Sequence, residues 1–303
     1  MSIKSIVLNN HFLRELFFLI FHKKINKRKL DKKIDKISLI KIKKQKRQNN
    51  LIVSLTSYGE RLSDLRYTLY SLITQTVLPE KIIVWLDDND VIPEYLRIFE
   101  TYGVEFSYCE NIKSYKKLIP TLRKFPNKCI ITVDDDIFYN KNLIKKLWKY
   151  HIKWPDCKIA HIAHDVLFSD ERTLMPYTKW KHNVCKTKKK NACFPTGVGG
   201  ILYPTKLYNS EFLDNKLFTK LCPNADDVWF YFMGLLSEQK TIIVPHPYNH
   251  LRYVDIYKEY GLNNKSTLQS LNVNQNFNDV QIRNVMNHFH ITDKQLYGII
   301  MES

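Results

Sequence analysis

Residues 128–136 read KCIITVDDD, an apolar run that stops at three consecutive acids. A short apolar run bounded by polar residues is the pattern of a buried strand. Upstream the pattern recurs. LIVSLTSY (51–58) is an apolar strand running into a polar turn, and KIIVWLDDND (81–90) is a second strand ending in acids. VEFSYCE (104–110) is a short third strand. Helical periods lie between them. In RLSDLRYTLYSLITQ (61–75), Leu62, Leu65, Leu69, Leu72 and Ile73 share one face. Pro93 precedes the amphipathic EYLRIFETYG, with Gly103 as its C-cap. YKKLIPTLRKFP reads as helical up to its prolines, and NKNLIKKLWKYHIKW is the helix after the triplet. Strands and helices alternating with short links predict an α/β fold, a mostly parallel sheet flanked by helices.

In open α/β sheets, ligands sit beyond the carboxyl ends of the strands. Asp87-Asp88 and Asp134-Asp135-Asp136 both fall on that edge. No GxGxxG follows the first strand and no GxxxxGK[ST] occurs, which disfavours a dinucleotide site and excludes a P-loop. Asp134 and Asp136 lie two apart, so on an extended strand they share a face, with Asp135 on the other. Hard cations such as Mn2+ or Mg2+ take carboxylate oxygens and leave positions open for substrate phosphates. The competing reading is a turn or helix-capping cluster before residues 141–154.

ITVDDDIFY (131–139) resembles the DxD element of GT-A nucleotide-sugar glycosyltransferases of the bacterial capsule and lipopolysaccharide type, and more distantly the exostosin-like transferases. The resemblance covers roughly residues 50–250. It implies Asp136 as the metal ligand, with Asp134 and Asp135 contacting ribose or sugar and Asp134 able to join the metal. It implies a nucleoside pocket at Thr56, Ser57, Tyr58 and Arg61, and an acid against the base at Asp87 or Asp88. Turn formation is the other reading of these positions. Lys117, beside Lys116, would reach the nucleotide or else be a solvated helix lysine. In CFPTGVGGILYP (193–204), Gly199 and Gly200 would face the donor sugar, or form a bulge in a buried strand. In LCPNADDVWFYFMGLL (221–236), Asp227 would be the base of an inverting transfer and Asp226 would position the acceptor; helix capping is the alternative. Trp229 would stack on sugar or belong to the core. His246 would complete the metal shell.

The net charge of +17 suggests nucleic acid until its distribution is read. Residues 1–50 hold fifteen Lys or Arg and three acids, a net +12, which leaves +5 for the other 253 residues. A body so weakly charged predicts no specific nucleic-acid partner. HFLRELFFLIF (11–21) is too short and too charged for a membrane span, and its flanks are not those of a signal peptide. Together with thirteen basic residues over Lys23–Arg47 it suits an anionic bilayer surface. A solvated charge run is the other reading. His161 and His164 lie in KIAHIAHDVLF (158–168), which reads as a strand. Six cysteines without a CxxC pair indicate reduced thiols and no zinc finger, and His182, Cys185 and Cys193 are a poor zinc set. The expected organisation is a basic extension over 1–48, a catalytic domain over 49–250 and a helical appendage over 251–303, with an amphipathic pattern from Val280 to Ile291.

These readings predict a metal-dependent enzyme on the cytoplasmic membrane face. It moves a sugar from a nucleoside diphosphate sugar, in the first instance a UDP-sugar, to a cell-surface glycan or lipid-linked acceptor. The alternatives are a nucleotidyl- or phosphotransferase, and a non-catalytic membrane- or RNA-binding protein with a transferase-like fold.

Overall fold

Leu51, Ile52, Val53 and Leu55 are all fully buried on β1 (Arg47–Thr56), because helices cover both faces of this strand. Leu51, Val53 and Leu55 join one core, while Ile52 packs with Ile83 and Trp85 on the opposite face. This two-sided burial is what continuous apolar runs encode in a parallel sheet. In the computed structural model, residues 25–36, 47–184, 186, 191–205, 210–245, 251–255 and 276–302 are described. β1 lies parallel to β2 (Leu78–Asp87) on one side and to β4 (Cys129–Thr132) on the other, and β2 lies parallel to β3 (Val104–Cys109).

Beyond β4 the sheet turns mixed. β8 (Ile201–Tyr203) is antiparallel to both β4 and β5 (Lys158–Ala160), and β9 (Thr241–Ile243) is parallel to β5. The order is β3-β2-β1-β4-β8-β5-β9. β6 (Ala163–Asp165) and β7 (Cys193–Pro195) form a separate antiparallel pair. The α/β, mostly parallel architecture expected from the sequence is therefore present.

The helices are α1 (Lys27–Ile34), α2 (Leu62–Ile73), α3 (Glu94–Arg97), α4 (Ile119–Lys124), α5 (Leu143–Lys153), α6 (Asn215–Leu221), α7 (Asp226–Leu236), α8 (Phe277–His288) and α9 (Asp293–Tyr297). Leucines of α2 and α5 share one core with Ile34 of α1. α4, α6 and α7 share the other core with Ile282, Val285, Met286 and Leu296 of α8 and α9. The C-terminal helices are thus built into this second core. Among the described residues no helix is long and apolar enough to cross a membrane.

Several boundaries differ from the sequence reading for local reasons. Pro120 does not stop a helix. It stands in the first turn of α4, where its missing N–H costs nothing, after a 3-10 stretch over Lys113–Lys117. Gly103 caps a 3-10 segment in the left-handed region at φ 89°, as its residue type allows. The 158–168 strand is broken into β5 and β6, which belong to different sheets.

Candidate active site

β4 ends at Thr132, before the Asp triplet. Asp134 and Asp136 therefore do not share the face of an extended strand. The triplet occupies a turn, and different neighbours hold each acid. The backbone N–H of Asp134 donates to the Tyr139 hydroxyl at 2.8 Å, and that hydroxyl donates to the Val198 carbonyl at 3.2 Å. Asp135 turns inward with only 4% of its side chain exposed. Its carboxylate accepts from Ser57 Oγ at 2.7 Å and from Arg61 Nε at 2.8 Å, and its carbonyl accepts from Thr68 at 2.7 Å. Arg61 Nη2 also reaches Asp136 Oδ2 at 3.0 Å. The Asp136 carbonyl accepts the Val254 N–H at 2.8 Å. Asp134 and Asp136 keep 30% and 27% of their side chains exposed, so these two face the open edge.

The Asp135 assignment is corrected accordingly. Buried and paired with Arg61, it cannot contact a ribose or sugar in this arrangement. It fixes the turn. Burial alone would lower the Arg61 pKa, but the hydrogen bonds and charges of Asp135 and Asp136 raise it, so the guanidinium stays charged. Ser57, expected in a nucleoside pocket, is likewise buried and engaged with Asp135.

A second cluster faces the first. Lys117 Nζ, nearly buried, stands 3.4 Å from Asp134 Oδ1 and 3.0 Å from Asp226 Oδ2. The Asp226 contact is an ion pair. Burial would lower the Lys117 pKa, but Asp134, Asp226 and Asp227 hold it well above its usual value. Both oxygens of Asp227 accept the Gly197 N–H, at 3.2 and 3.3 Å. Burial, then Asp226 and Asp134, raise the Asp227 pKa more than Lys117 and the Gly197 N–H lower it. The net shift is upward, to about 7. Asp226 and Asp227 open α7, whose N-terminal dipole favours acids. Segments around 117, 134, 197 and 226 thus meet at the carboxyl end of β4.

The remaining predicted positions divide. Thr56 Oγ1 donates to the Trp85 carbonyl at 2.9 Å. Tyr58 is 54% exposed, with the Arg61 guanidinium 5.8 Å from its ring, so it is available to stack on a base. Asp87 pairs with buried Lys116 at 2.6 Å, while Asp88 is exposed. Asp90, which the sequence reading passed over, accepts the N–H of Asp87 and of Gly59, each at 3.0 Å. It ties the β1 and β2 edges together.

Gly199 and Gly200 do not face the acids. A Cβ on Gly199 would lie 2.7 Å from Ile162 Cγ1, so Gly199 serves packing, and Gly200 takes the left-handed region at φ 84° beside Leu143. Gly197 is the glycine of the site: a Cβ there would lie 2.5 Å from Lys117 Nζ. Trp229 is fully buried, donates to the Phe212 carbonyl and belongs to the core, not to a sugar platform. His246 and Cys185 lie outside the described residues. His164 accepts the Asn183 N–H at 3.1 Å and packs 4.3 Å from His182. Burial and His182 push its pKa down to about 3. Among the described residues no three His, Cys, Asp or Glu side chains are grouped to hold a metal.

No protein-family model matches the chain, and no curated protein matches it in sequence. A solved structure of CMP:2-keto-3-deoxy-manno-octonic acid synthetase complexed with CTP resembles it with a TM-score of 0.40 and 10% identity, over 65% of this chain and 89% of that one. A likeness of that size assigns no role to any residue.

Proposed function

We propose that the chain is a metal-dependent glycosyltransferase of the GT-A kind, using a nucleoside diphosphate sugar and a hydroxyl acceptor. The observation that carries this reading is the meeting of Asp134, Lys117, Asp226, Asp227 and the Gly197 N–H at one strand end, beside the partly exposed Asp136. One lysine and three carboxylates leave the cluster net negative, which suits a cation and a positively polarised sugar carbon.

The donor set fits a hard cation of a particular sort. With two partly exposed carboxylates and no preformed cage among the described residues, such a cation would take its other ligands from water and diphosphate, as Mg2+ and Mn2+ do. Asp136 and Asp134 would hold it. When bound, it neutralises the charge that develops on the departing diphosphate. Tyr58 stacks on the base. Arg61 keeps the Asp turn in place. Lys117 holds Asp134 and Asp226 in register. Asp227 takes the proton of the acceptor hydroxyl as its oxygen attacks the anomeric carbon, and a pKa near neutrality suits that exchange. The basic N-terminal segment would keep the enzyme at an anionic bilayer, close to a lipid-linked or cell-surface acceptor.

Nucleotidyl transfer is the second reading. The same acids and lysines would serve a triphosphate. That chemistry expects a glycine-rich phosphate loop after β1, where SLTSYGERL offers Gly59 alone. Products separate the two readings: glycosyl transfer releases a nucleoside diphosphate, and nucleotidyl transfer releases pyrophosphate. The test is a thermal-shift screen of UDP, GDP and CMP with and without manganese, followed by product analysis. A manganese-dependent shift with a diphosphate, lost in Asp136→Asn, supports the proposal. Pyrophosphate release from a triphosphate would replace it.

A further inference from the structure

Between α1 and the loop after the Asp triplet lies a hollow of about 140 Å3. Ile25, Lys29, Leu30, Lys33, Phe138 and Arg252 line it. α1 is fixed over the body by its other side. Lys27 donates to Asp64 at 2.7 Å, and Asp31 accepts from Tyr67 at 3.0 Å and pairs with Arg66 at 3.1 Å. Those contacts turn Asp31 away, and no acid is among the described residues that line the hollow. Lys29 and Lys33 stand one helical turn apart on the same face. Arg252 completes the rim. Its carbonyl accepts the Phe138 N–H at 2.7 Å, which fastens its backbone to the Asp loop.

Three exposed cations around one small hollow repel each other, and an anion between them removes that repulsion. The wall between them is apolar: Ile25, Leu30 and Phe138 are partly buried and pack on the core. Such a hollow, at roughly 30 Å3 per water, has room for about four or five waters, or for one tetrahedral oxyanion. The geometry points to a binding site for a phosphate anion carried on an apolar stem. Two sources share that chemistry, a phospholipid headgroup in a bilayer and a soluble phosphorylated molecule with an apolar tail. The hollow adjoins the reaction edge, because Phe138 follows Asp136 by two residues and Val254, two residues past Arg252, donates to the Asp136 carbonyl. The inference does not depend on which group the Asp cluster transfers.

The test uses the full chain, with inorganic phosphate and octyl phosphate as soluble probes. Vesicles of phosphatidylcholine, with and without phosphatidylglycerol, are the bilayer probe. The variants are the triple Lys29→Gln, Lys33→Gln, Arg252→Gln and the charge-keeping Lys29→Arg, Lys33→Arg. All three positions are exposed, so unliganded melting should not change. Octyl phosphate should raise the wild-type melting temperature more than inorganic phosphate does. The triple variant should lose this response and the arginine variant should keep it. At about fivefold per charge near a bilayer, the triple variant should also bind anionic vesicles about a hundredfold more weakly. Loss of both responses supports the site with a bilayer source. Loss of the octyl phosphate response alone supports it with a soluble source. No wild-type response to octyl phosphate, or an equal response in the triple variant, overturns it.

Discussion

The phenol oxygen of Tyr139 accepts the backbone N–H of Asp134 at 2.8 Å, and the same hydroxyl donates to Val198 at 3.2 Å. One buried hydroxyl thus joins the acidic turn to the glycine segment that faces Asp227. Tyr139→Phe keeps the ring and removes both bonds. A buried polar group left unpaired costs about 1–3 kcal/mol. The variant should unfold at lower urea by that amount with an unchanged m-value, and should bind donor more weakly as the turn loosens. Stability and donor affinity equal to wild type would show that the two loops hold their places without it.

Arg61 and Asp135 test the structural half of the site. Asp135 is buried and Arg61 largely so, and removing one partner of such a pair leaves the other charge uncompensated. Asp135→Asn should cost about 3 kcal/mol, whereas Asp88→Asn on the exposed edge should stay within about 0.5 kcal/mol. Urea denaturation of the two variants checks this. Equal, small effects would mean that Asp135 does not fix the turn.

The two kinds of glycine separate by readout. Gly197→Ala pushes against the end of the flexible Lys117 side chain, so it should disturb the acid cluster with little loss of stability. Gly199→Ala meets the Ile162 backbone nitrogen at 2.9 Å, which cannot swing away. Overpacking of that kind costs about 1–3 kcal/mol. Activity lost at 197 with stability kept, and stability lost at 199, is the expected pattern. The reverse pattern would return Gly199 to the site.

Asp227 gives a pH-dependent prediction with a definite sign. Its pKa is raised on folding, mainly by burial, from 3.8 to about 7. Between those values the folded chain holds a proton that the unfolded chain has lost. The contribution of this group to stability therefore declines as pH rises through that window and is flat above it. Asp227→Asn cannot ionise. Its melting temperature relative to wild type should climb between about pH 4 and 7. Turnover should fall about 100- to 10,000-fold, as for a lost base, with donor affinity nearly unchanged. A difference in melting temperature that does not vary with pH would mean that the carboxylate ionises normally.

Much of the architecture was legible because burial on two faces leaves a plain trace. The runs at 51–55, 82–86 and 129–132 are nearly all apolar without alternation, broken only by Ser54 and Thr132, and each is a strand between helical layers. Gly103 was legible as a cap for the same local reason. The acids were legible as standing at the carboxyl ends of β2 and β4. What the sequence could not specify was which way each side chain turns once the chain closes. Asp135 and Ser57 look like ligand contacts until Arg61 arrives from the 3-10 turn just before α2. Trp229 sits on a helix that is apolar all round, so nothing local marks its face as core. Gly197 differs from Gly199 in what lies opposite, and Lys117 lies 80 residues away in the chain. Its one sequence signal was position, the first glycine after a buried strand.

The most direct measurement of the central claim is product analysis with wild-type enzyme and Asp136→Asn, each offered nucleoside diphosphate sugars and nucleoside triphosphates with manganese. The account predicts release of a nucleoside diphosphate from a sugar donor, dependent on the metal and lost in a folded Asp136→Asn. Pyrophosphate released from a triphosphate, or nucleoside diphosphate release undiminished in Asp136→Asn, would contradict it.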